Sequence, residues 1–325
     1  MKFYVMIKII ECRFRGDVEK LYLYQINGNK LEEIKEESFK KEAELHQLCE
    51  ANLEEIFVLH FVRREFTVKQ FRIDTLAFDS STNSFVIIEY KNTRNFSVID
   101  QGYAYLSLML NHKADFILEY NECCQGALRK DSVEWSQSRV IFVSPVFNNY
   151  QKESINFKDL PIELWEVKKF NNGTIYFNPV KAMQPNESIK KLSTVDETVQ
   201  QVNQEVKTYS ESDHLKNRPS EIIELYETLK EYVCALDDSI LIKPKKQVIG
   251  FHIKNKVFMD VLILKKSLKV WLNLKNGELQ DYKGLTKDVS NIGQWGNGDY
   301  EIQITDSENL DYILSLIKET YRLKK

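Results

Sequence analysis

The chain has 325 residues, of which 43% are hydrophobic and 29% are charged, so it is long enough for two globular domains of roughly 150 residues each. Its formal net charge of -3 excludes a generally basic protein that coats nucleic acid, and any contact with DNA must come from a local patch. Five cysteines without a CxxC pair argue against a disulfide framework or a structural zinc site, which favours a reducing cytoplasm.

The first half of the chain alternates between strand and helix signals. In chain order we predict a hairpin over 21–32, one or two amphipathic helices over 39–59, strands over 71–78 and 85–91, a helix that begins at Ser97, strands over 115–120 and 139–145, a helix near 150–157, and strands over 162–170 and 174–177. This interleaving favours an α/β (α+β) fold, in which helices cover a mixed sheet.

The amino-acid composition changes near Met183, and polar residues replace large apolar ones from there up to Pro219. We interpret residues 183–218 as a polar linker that is partly helical at 195–206. After it we predict a helix over 220–236, strands over 248–253, 257–264, 268–274 and 300–304, and a closing helix over 308–323. The predicted organisation is an N-terminal strand and hairpin region (1–38), a mixed α/β domain (39–182), the linker, and a smaller α+β domain (219–325).

Chemistry-bearing residues concentrate in the two strands that flank the turn 79–84. Glu89 and Lys91 are two residues apart, so both side chains project from one face of a strand. If the strands form an antiparallel hairpin with Phe78 opposite Phe85, then Asp74 falls opposite Glu89. Two carboxylates and an ammonium group would then meet at one end of an apolar pair of strands.

Two carboxylates placed side by side repel each other, and a divalent cation removes that conflict. Mg²⁺ is commonly held by one or two carboxylates together with waters and phosphate oxygens, and Mn²⁺ would serve equally. The main-chain carbonyl of Tyr90 is a further candidate ligand. Lys91 would orient an attacking water or neutralise charge on a phosphate. The predicted chemistry is metal-assisted hydrolysis of a phosphodiester.

Four segments together resemble the PD-(D/E)XK nuclease superfamily, and most closely its NucS-type and RecB-type branch. The segments are Glu44-Leu45-His46-Gln47-Leu48, Arg72-Ile73-Asp74, Val86-Ile87-Ile88-Glu89-Tyr90-Lys91 and Gln101-Gly102-Tyr103-Ala104-Tyr105. The resemblance implies a restriction-endonuclease-like mixed sheet flanked by helices. It also implies that Asp74 and Glu89 bind the metal and that Lys91 assists the water. Ile73 stands where the superfamily's name has proline.

The resemblance extends to residues outside the strands. It implies an upstream helical glutamate, for which Glu44 is the best match by position, while Glu50 and Glu54 remain open. Gln101 matches a helical glutamine of some branches, and Tyr105 shares its face one turn later. We expect Gln101 to act at the site.

Some residues near the strands are candidates for contacts with nucleic acid. Arg72 and Arg94 flank the strand pair and would hold phosphates, and Tyr105 would touch DNA or brace the site. A solvated face is an equal alternative for the arginines, and a packed aromatic is an equal alternative for Tyr105.

A second resemblance concerns the C-terminal domain. The segments 272–275, 288–293 and 295–299 resemble a domain of unknown function that ends proteins labelled predicted transport proteins. That label gains no support here, because no segment is long and apolar enough to cross a membrane. Trp295 in a glycine-rich loop is either a stacking surface or a plug for the core.

The leading hypothesis is a Mg²⁺-dependent deoxyribonuclease whose C-terminal domain serves recognition or assembly. One alternative is a nucleic-acid-binding module that keeps the nuclease fold without turnover. The other is an interaction protein that acts through its C-terminal domain. DNA is the expected partner, RNA and a homodimer stay open, and so does the choice between endonuclease and exonuclease.

Overall fold

The computed structural model describes residues 23–91, 97–157, 159–180, 197–254, 256–291 and 296–325. Two sheets organise them. The first unit, residues 23–206, contains β1 (Leu23–Asn27), β2 (Lys30–Ile34), β3 (Glu36–Glu37), α1 (Glu42–Glu50), α2 (Leu53–Phe57), β4 (His60–Val68), β5 (Phe71–Asp79), β6 (Ser84–Tyr90), α3 (Val98–Asn111), α4 (Lys113–Cys123), β7 (Arg139–Ser144), α5 (Asn149–Ser154), β8 (Ile162–Phe170), β9 (Ile175–Pro179) and α6 (Glu197–Glu205).

The first sheet is mixed, as the sequence predicts. Among the described strands its order is β3-β8-β7-β6-β5-β4, and β9 pairs with β8. The pairs β6–β7 and β7–β8 are parallel, whereas β4–β5 and β5–β6 are antiparallel. The core on one face includes α3, and the core on the other includes α1 and α2. The predicted mixed sheet flanked by helices is therefore confirmed.

The pairing of β5 with β6 has the predicted register. Phe78 lies opposite Phe85, and Leu76 lies opposite Ile87. The strand β6 is buried along its whole length, because neighbouring strands and helices on both faces cover its run of apolar side chains. A slip of one residue would move every side chain to the opposite face, so this buried pattern fixes the register.

Two local predictions in this unit are wrong or incomplete. Residues 115–120 are not a strand but part of α4, because Phe116 and Tyr120, four residues apart, both pack against the core. The strand β4 was not predicted, although its buried residues Val62, Phe66 and Val68 pack in the same core. Its alternation is obscured by a bulge between Phe61 and Arg63.

The second unit, residues 211–325, contains a sheet that is antiparallel throughout its described pairs. Its elements are α7 (Glu211–Leu215), α8 (Ser220–Cys234), β10 (Leu241–Pro244), β11 (Ile249–Ile253), β12 (Lys256–Ile263), β13 (Leu268–Leu272), β14 (Lys287–Asp288), β15 (Tyr300–Ile304) and α9 (Leu310–Lys324). The strand order is β10-β11-β12-β13-β15-β14. The apolar faces of α8 and α9 share one core with this sheet. This matches the predicted α+β character.

The segment between the sheets is partly ordered against the first unit. The helix α6 packs on α3, and Val202 and Val206 are buried in the first unit's core. Within the described residues, no helix is both long and apolar enough to span a membrane.

Candidate active site

Asp74 and Glu89 meet where β5 begins and β6 ends. The described ladder stops at the pair Thr75 and Ile88, so Asp74 and Glu89 occupy the next step at its open end. The Oδ2 atom of Asp74 accepts a hydrogen bond of 3.1 Å from the main-chain N–H of Tyr90. The side chain of Asp74 is 15% exposed, so this end of the sheet admits some solvent.

Glu89 is the most deeply buried acid of this group, with 4% of its surface exposed. Its Oε1 atom accepts hydrogen bonds from Nζ of Lys91 at 2.7 Å and from Nε2 of Gln101 at 3.1 Å. Its Oε2 atom is buried and has no hydrogen-bond partner among the described residues. A buried carboxylate oxygen without a partner is costly, which marks the place where a ligand would be stabilising.

The pKa of Glu89 also indicates that a cation would be stabilising here. Burial raises the pKa of Glu89 above its usual value, and the negative charge of Asp74 raises it further, while Lys91 opposes both. One lysine therefore does not balance the burial of two neighbouring acids. A cation between the carboxylates would lower this pKa again and remove the repulsion.

Helix α3 supplies the polar face opposite the strands. The helix begins where the sequence predicts, and Ser97 caps it by accepting a hydrogen bond of 3.3 Å from the N–H of Asp100. One turn further, Nε2 of Gln101 also donates to the hydroxyl of Tyr105 at 3.1 Å, and that hydroxyl donates to the main-chain oxygen of Arg72 at 3.4 Å. Burial raises the pKa of Tyr105, so its hydroxyl keeps the proton. The structure thus brings Gln101 and Tyr105 to Glu89.

His46 also belongs to this site, although it was not among the predicted site residues. Its Nε2 atom lies 3.7 Å from Oδ2 of Asp74 and is buried without a hydrogen-bond partner among the described residues. Its ring lies 4.3 Å from the ring of Tyr90. The one available signal was the position of His46 beside Leu45, which is fully buried in α1. We call Asp74, Glu89, Lys91, Gln101 and His46 the β5–β6 cluster.

Glu44, the predicted helical acid, is not brought into the β5–β6 cluster. Its Oε1 atom accepts a hydrogen bond of 2.7 Å from Nζ of Lys169, and its Oε2 atom accepts one from the N–H of Lys40. Successive residues on a helix point about 100° apart, so Glu44 and His46 flank Leu45 on opposite sides. Only the His46 side faces Asp74.

The other acids that the sequence left open also lie elsewhere. Glu50 accepts a hydrogen bond of 2.6 Å from Thr75 and pairs with Arg64, and Glu54 is exposed on α2. Arg72 points to solvent, and its NH1 atom lies 3.6 Å from Glu65.

Some predicted residues lie outside the described structure or stay predictions. Arg94 and Trp295 lie outside the described residues. The carbonyl of Tyr90 follows directly after Glu89, and its role as a ligand stays a prediction.

The β5–β6 cluster fits a hard cation only in part. It offers two carboxylates, an unpaired carboxylate oxygen on Glu89 and an unpaired imidazole nitrogen on His46. Within the described residues, no three His, Cys, Asp or Glu side chains are grouped closely enough to enclose a metal ion. Such a donor set suits an ion that keeps several waters or substrate oxygens, as Mg²⁺ does.

Comparisons with known proteins identify the family. Residues 211–324 match the family described as Domain of unknown function (DUF5655), which agrees with the predicted C-terminal domain. A protein of Haemophilus influenzae (strain ATCC 51907 / DSM 11121 / KW20 / Rd), described as an uncharacterized protein, is 48% identical over 300 residues, covering 92% of this chain and 99% of that protein. The chain therefore belongs to the same family as this H. influenzae protein.

Three solved structures resemble part of the chain. A repair endonuclease from Pyrococcus abyssi is 19% identical over 41% of this chain and 49% of its own, with a TM-score of 0.24. EndoMS in complex with dsDNA is 18% identical, and the match covers 45% of this chain and 64% of the solved chain, with a TM-score of 0.26. EndoMS in apo form is 19% identical, and the match covers 40% of this chain and 58% of the solved chain, with a TM-score of 0.24. The chain thus spans about half to two thirds of each solved chain.

Proposed function

We propose that the first unit is a metal-dependent nuclease that hydrolyses phosphodiester bonds, with DNA as its substrate, at the β5–β6 cluster. The observation that carries the proposal is the convergence of Asp74, Glu89 and Lys91 at the end of two paired strands, with an oxygen of Glu89 left unpaired. The substrate class follows from the resemblance to PD-(D/E)XK nucleases.

Asp74 and Glu89 would hold a Mg²⁺ or Mn²⁺ ion, and the carbonyl of Tyr90 and the imidazole of His46 are further ligand candidates. When bound, this ion would polarise the scissile phosphate and make a nearby water more acidic. Gln101 holds Oε1 of Glu89 in place through its 3.1 Å hydrogen bond, which leaves Oε2 available for the ion.

Lys91 has two tasks in this scheme. Its ammonium group, 2.7 Å from Oε1 of Glu89, lowers the pKa of that carboxylate and so opposes the effect of burial. When substrate enters, the same group would orient the attacking water and neutralise the charge that develops on the phosphate. The water oxygen forms a bond to phosphorus, and the bond from phosphorus to the leaving oxygen breaks. A phosphate monoester and a hydroxyl group result.

The test is cleavage of single-stranded, double-stranded and mismatched DNA by pure protein with Mg²⁺ or Mn²⁺. We expect Asp74→Asn and Lys91→Ala to lower the rate by at least about a hundredfold, because each removes a group used at the phosphate. Glu54→Gln is the matched control, since Glu54 is an exposed helical acid away from the cluster. Cleavage that persists in both site variants would come from a contaminant and would reject the proposal.

A nucleic-acid-binding module without turnover is the second candidate. It is favoured by one observation, namely that no three metal-ligating side chains group together in the described residues. Titration with Mn²⁺ distinguishes the nuclease from the binding module. A nuclease should bind Mn²⁺ with an affinity that Glu89→Gln weakens, whereas the binding module should bind DNA equally well with or without the metal.

A further inference from the structure

The two units meet through the turn between β10 and β11. Nζ of Lys246 lies 2.7 Å from Oε2 of Glu134, and the N–H of Lys246 donates to Oε1 of Gln137 at 3.0 Å. Beside them, the N–H of Lys207 donates to the main-chain oxygen of Ser136 at 2.7 Å. The turn therefore contacts residues 134–137, the segment that leads into β7 of the first unit.

On the side of the second unit, a buried charge anchors this turn. Lys245 is 6% exposed, and its Nζ atom lies 3.3 Å from Oδ1 of the fully buried Asp260. The other oxygen of Asp260 accepts hydrogen bonds from the main-chain and side-chain nitrogens of Asn297, at 2.9 Å and 2.6 Å. Gly250 makes room for this arrangement, because a Cβ atom there would lie 3.0 Å from Asp260 and 3.2 Å from Lys245.

On the side of the first unit, a second group of charges lies at Arg139, directly after this segment. Asp79 is 7% exposed and pairs with NH1 of Arg139 at 3.0 Å, and Nε of Arg139 lies 2.8 Å from Glu163. Burial raises the pKa of Asp79, but Arg139 and a hydrogen bond from Ser81 lower it to about 2.

We propose that residues 134–137 form a docking surface whose partner is the lysine turn 245–246 of the second unit. Charge recognition between these two parts sets the position of the second unit. The contact that crosses the boundary joins a charged pair, Lys246 and Glu134, to a hydrogen bond from the main chain of Lys246 to Gln137, so the turn must present both groups in one orientation. The contact holds independently of any nuclease activity.

This docking position separates the second unit from the β5–β6 cluster. Asp79 lies at the opposite end of β5 from Asp74, five residues away. At about 3.3 Å per residue this is roughly 17 Å along the strand. Through this contact the second unit therefore meets the first at the far end of β5 from the β5–β6 cluster.

Charge reversal in the full chain tests the proposal. Lys246→Glu places a second acid against Glu134. We expect hydrogen exchange at the amide of residue 246, which donates to Gln137, to become about tenfold faster and the radius of gyration to rise. Glu134→Lys should do the same. The double variant, Lys246→Glu with Glu134→Lys, restores an opposite pair and should return both quantities close to the wild-type values.

Lys266→Glu is the matched control, because it makes the same change at an exposed turn of the second unit. Lys246 and Glu134 are both partly exposed, and circular dichroism checks that their variants keep their secondary structure. The Glu134 carboxylate also accepts hydrogen bonds from Ser136, so Glu134→Lys is compared with Glu134→Gln, which keeps an acceptor there. If Lys246→Glu behaves like Lys266→Glu, or if the double variant shows no recovery, the docking surface is wrong. A recovery that depends on protein concentration would assign the turn to a second copy of the chain, and this would also overturn the proposal.

Discussion

At the residue scale, the candidate site depends on which neighbour of Leu45 in α1, Glu44 or His46, faces the strands. The sequence places Glu44 and His46 symmetrically about that buried leucine, and an acid is the usual ligand for Mg²⁺. The structure instead pairs Glu44 with Lys169 and brings His46 to 3.7 Å from Asp74. The roles of these two residues are therefore the sharpest local test of the site.

We expect His46→Ala to weaken Mn²⁺ binding by about tenfold or more, because the imidazole is either a ligand or the support of one. Glu44→Gln should leave the affinity for Mn²⁺ unchanged, because Glu44 pairs with Lys169 and does not lie beside Asp74. Calorimetric titration of each variant with Mn²⁺ measures both. If Glu44→Gln instead bound Mn²⁺ more weakly than His46→Ala, Glu44 would be a metal ligand and this assignment would be wrong.

At the scale of elements, the backbone at Gly298 packs directly against the end of β13. Gly298 has a φ of +99°, and a Cβ atom there would lie 2.0 Å from the main-chain oxygen of Leu272. A side chain would thus be strained twice, by the left-handed backbone and by contact with β13. Gly284 also has a positive φ, of +65°, but a Cβ atom there would meet nothing within 4 Å.

We therefore expect Gly298→Ala to lower the free energy of unfolding by about 2 kcal/mol or more, and Gly284→Ala by about 1 kcal/mol. The comparison isolates the steric contribution, because both positions carry the cost of a positive φ. Urea unfolding followed by tryptophan fluorescence reports it, since Trp271 is buried beneath the loop of Gly298. Equal losses in the two variants would mean that the contact with Leu272 relaxes.

At the scale of the whole molecule, buried ion pairs join strands that are distant in sequence. Arg139 links Asp79 at the end of β5 to Glu163 in β8. Such a network tolerates neutral pH but is sensitive to acid, because its carboxylates must stay ionised.

The pKa of Asp79 gives the direction of this sensitivity. The folded chain holds the pKa at about 2, below the ordinary value of 3.8, so ionised Asp79 stabilises the fold at and above about pH 4. That contribution, at most about 2 kcal/mol, should be lost as the pH falls from about 4 to 2. Unfolding of wild type and Asp79→Asn across this range measures it. The two stability curves should converge toward pH 2, and a constant gap would contradict the assignment.

The sequence by itself determined the parts that depend on local periodicity. The apolar runs of β5 and β6, the short turn between them and the Ser97 cap fixed the strands, their register and the start of α3. The register placed Asp74 beside Glu89, and the two-residue spacing placed Lys91 on the same face. The DUF5655 region was similarly recognisable from its own segments.

Other features were decided only by the tertiary structure, because local pattern is silent about them. Residues 115–120 carry enough apolar side chains for a strand, and only packing of Phe116 and Tyr120 on the core makes them helical. The choice of His46 over Glu44 depends on how α1 is rotated against the sheet. The docking of Lys246 on Glu134 joins residues 112 positions apart. Contacts of this kind follow from how whole elements pack, and no spacing along the chain encodes them.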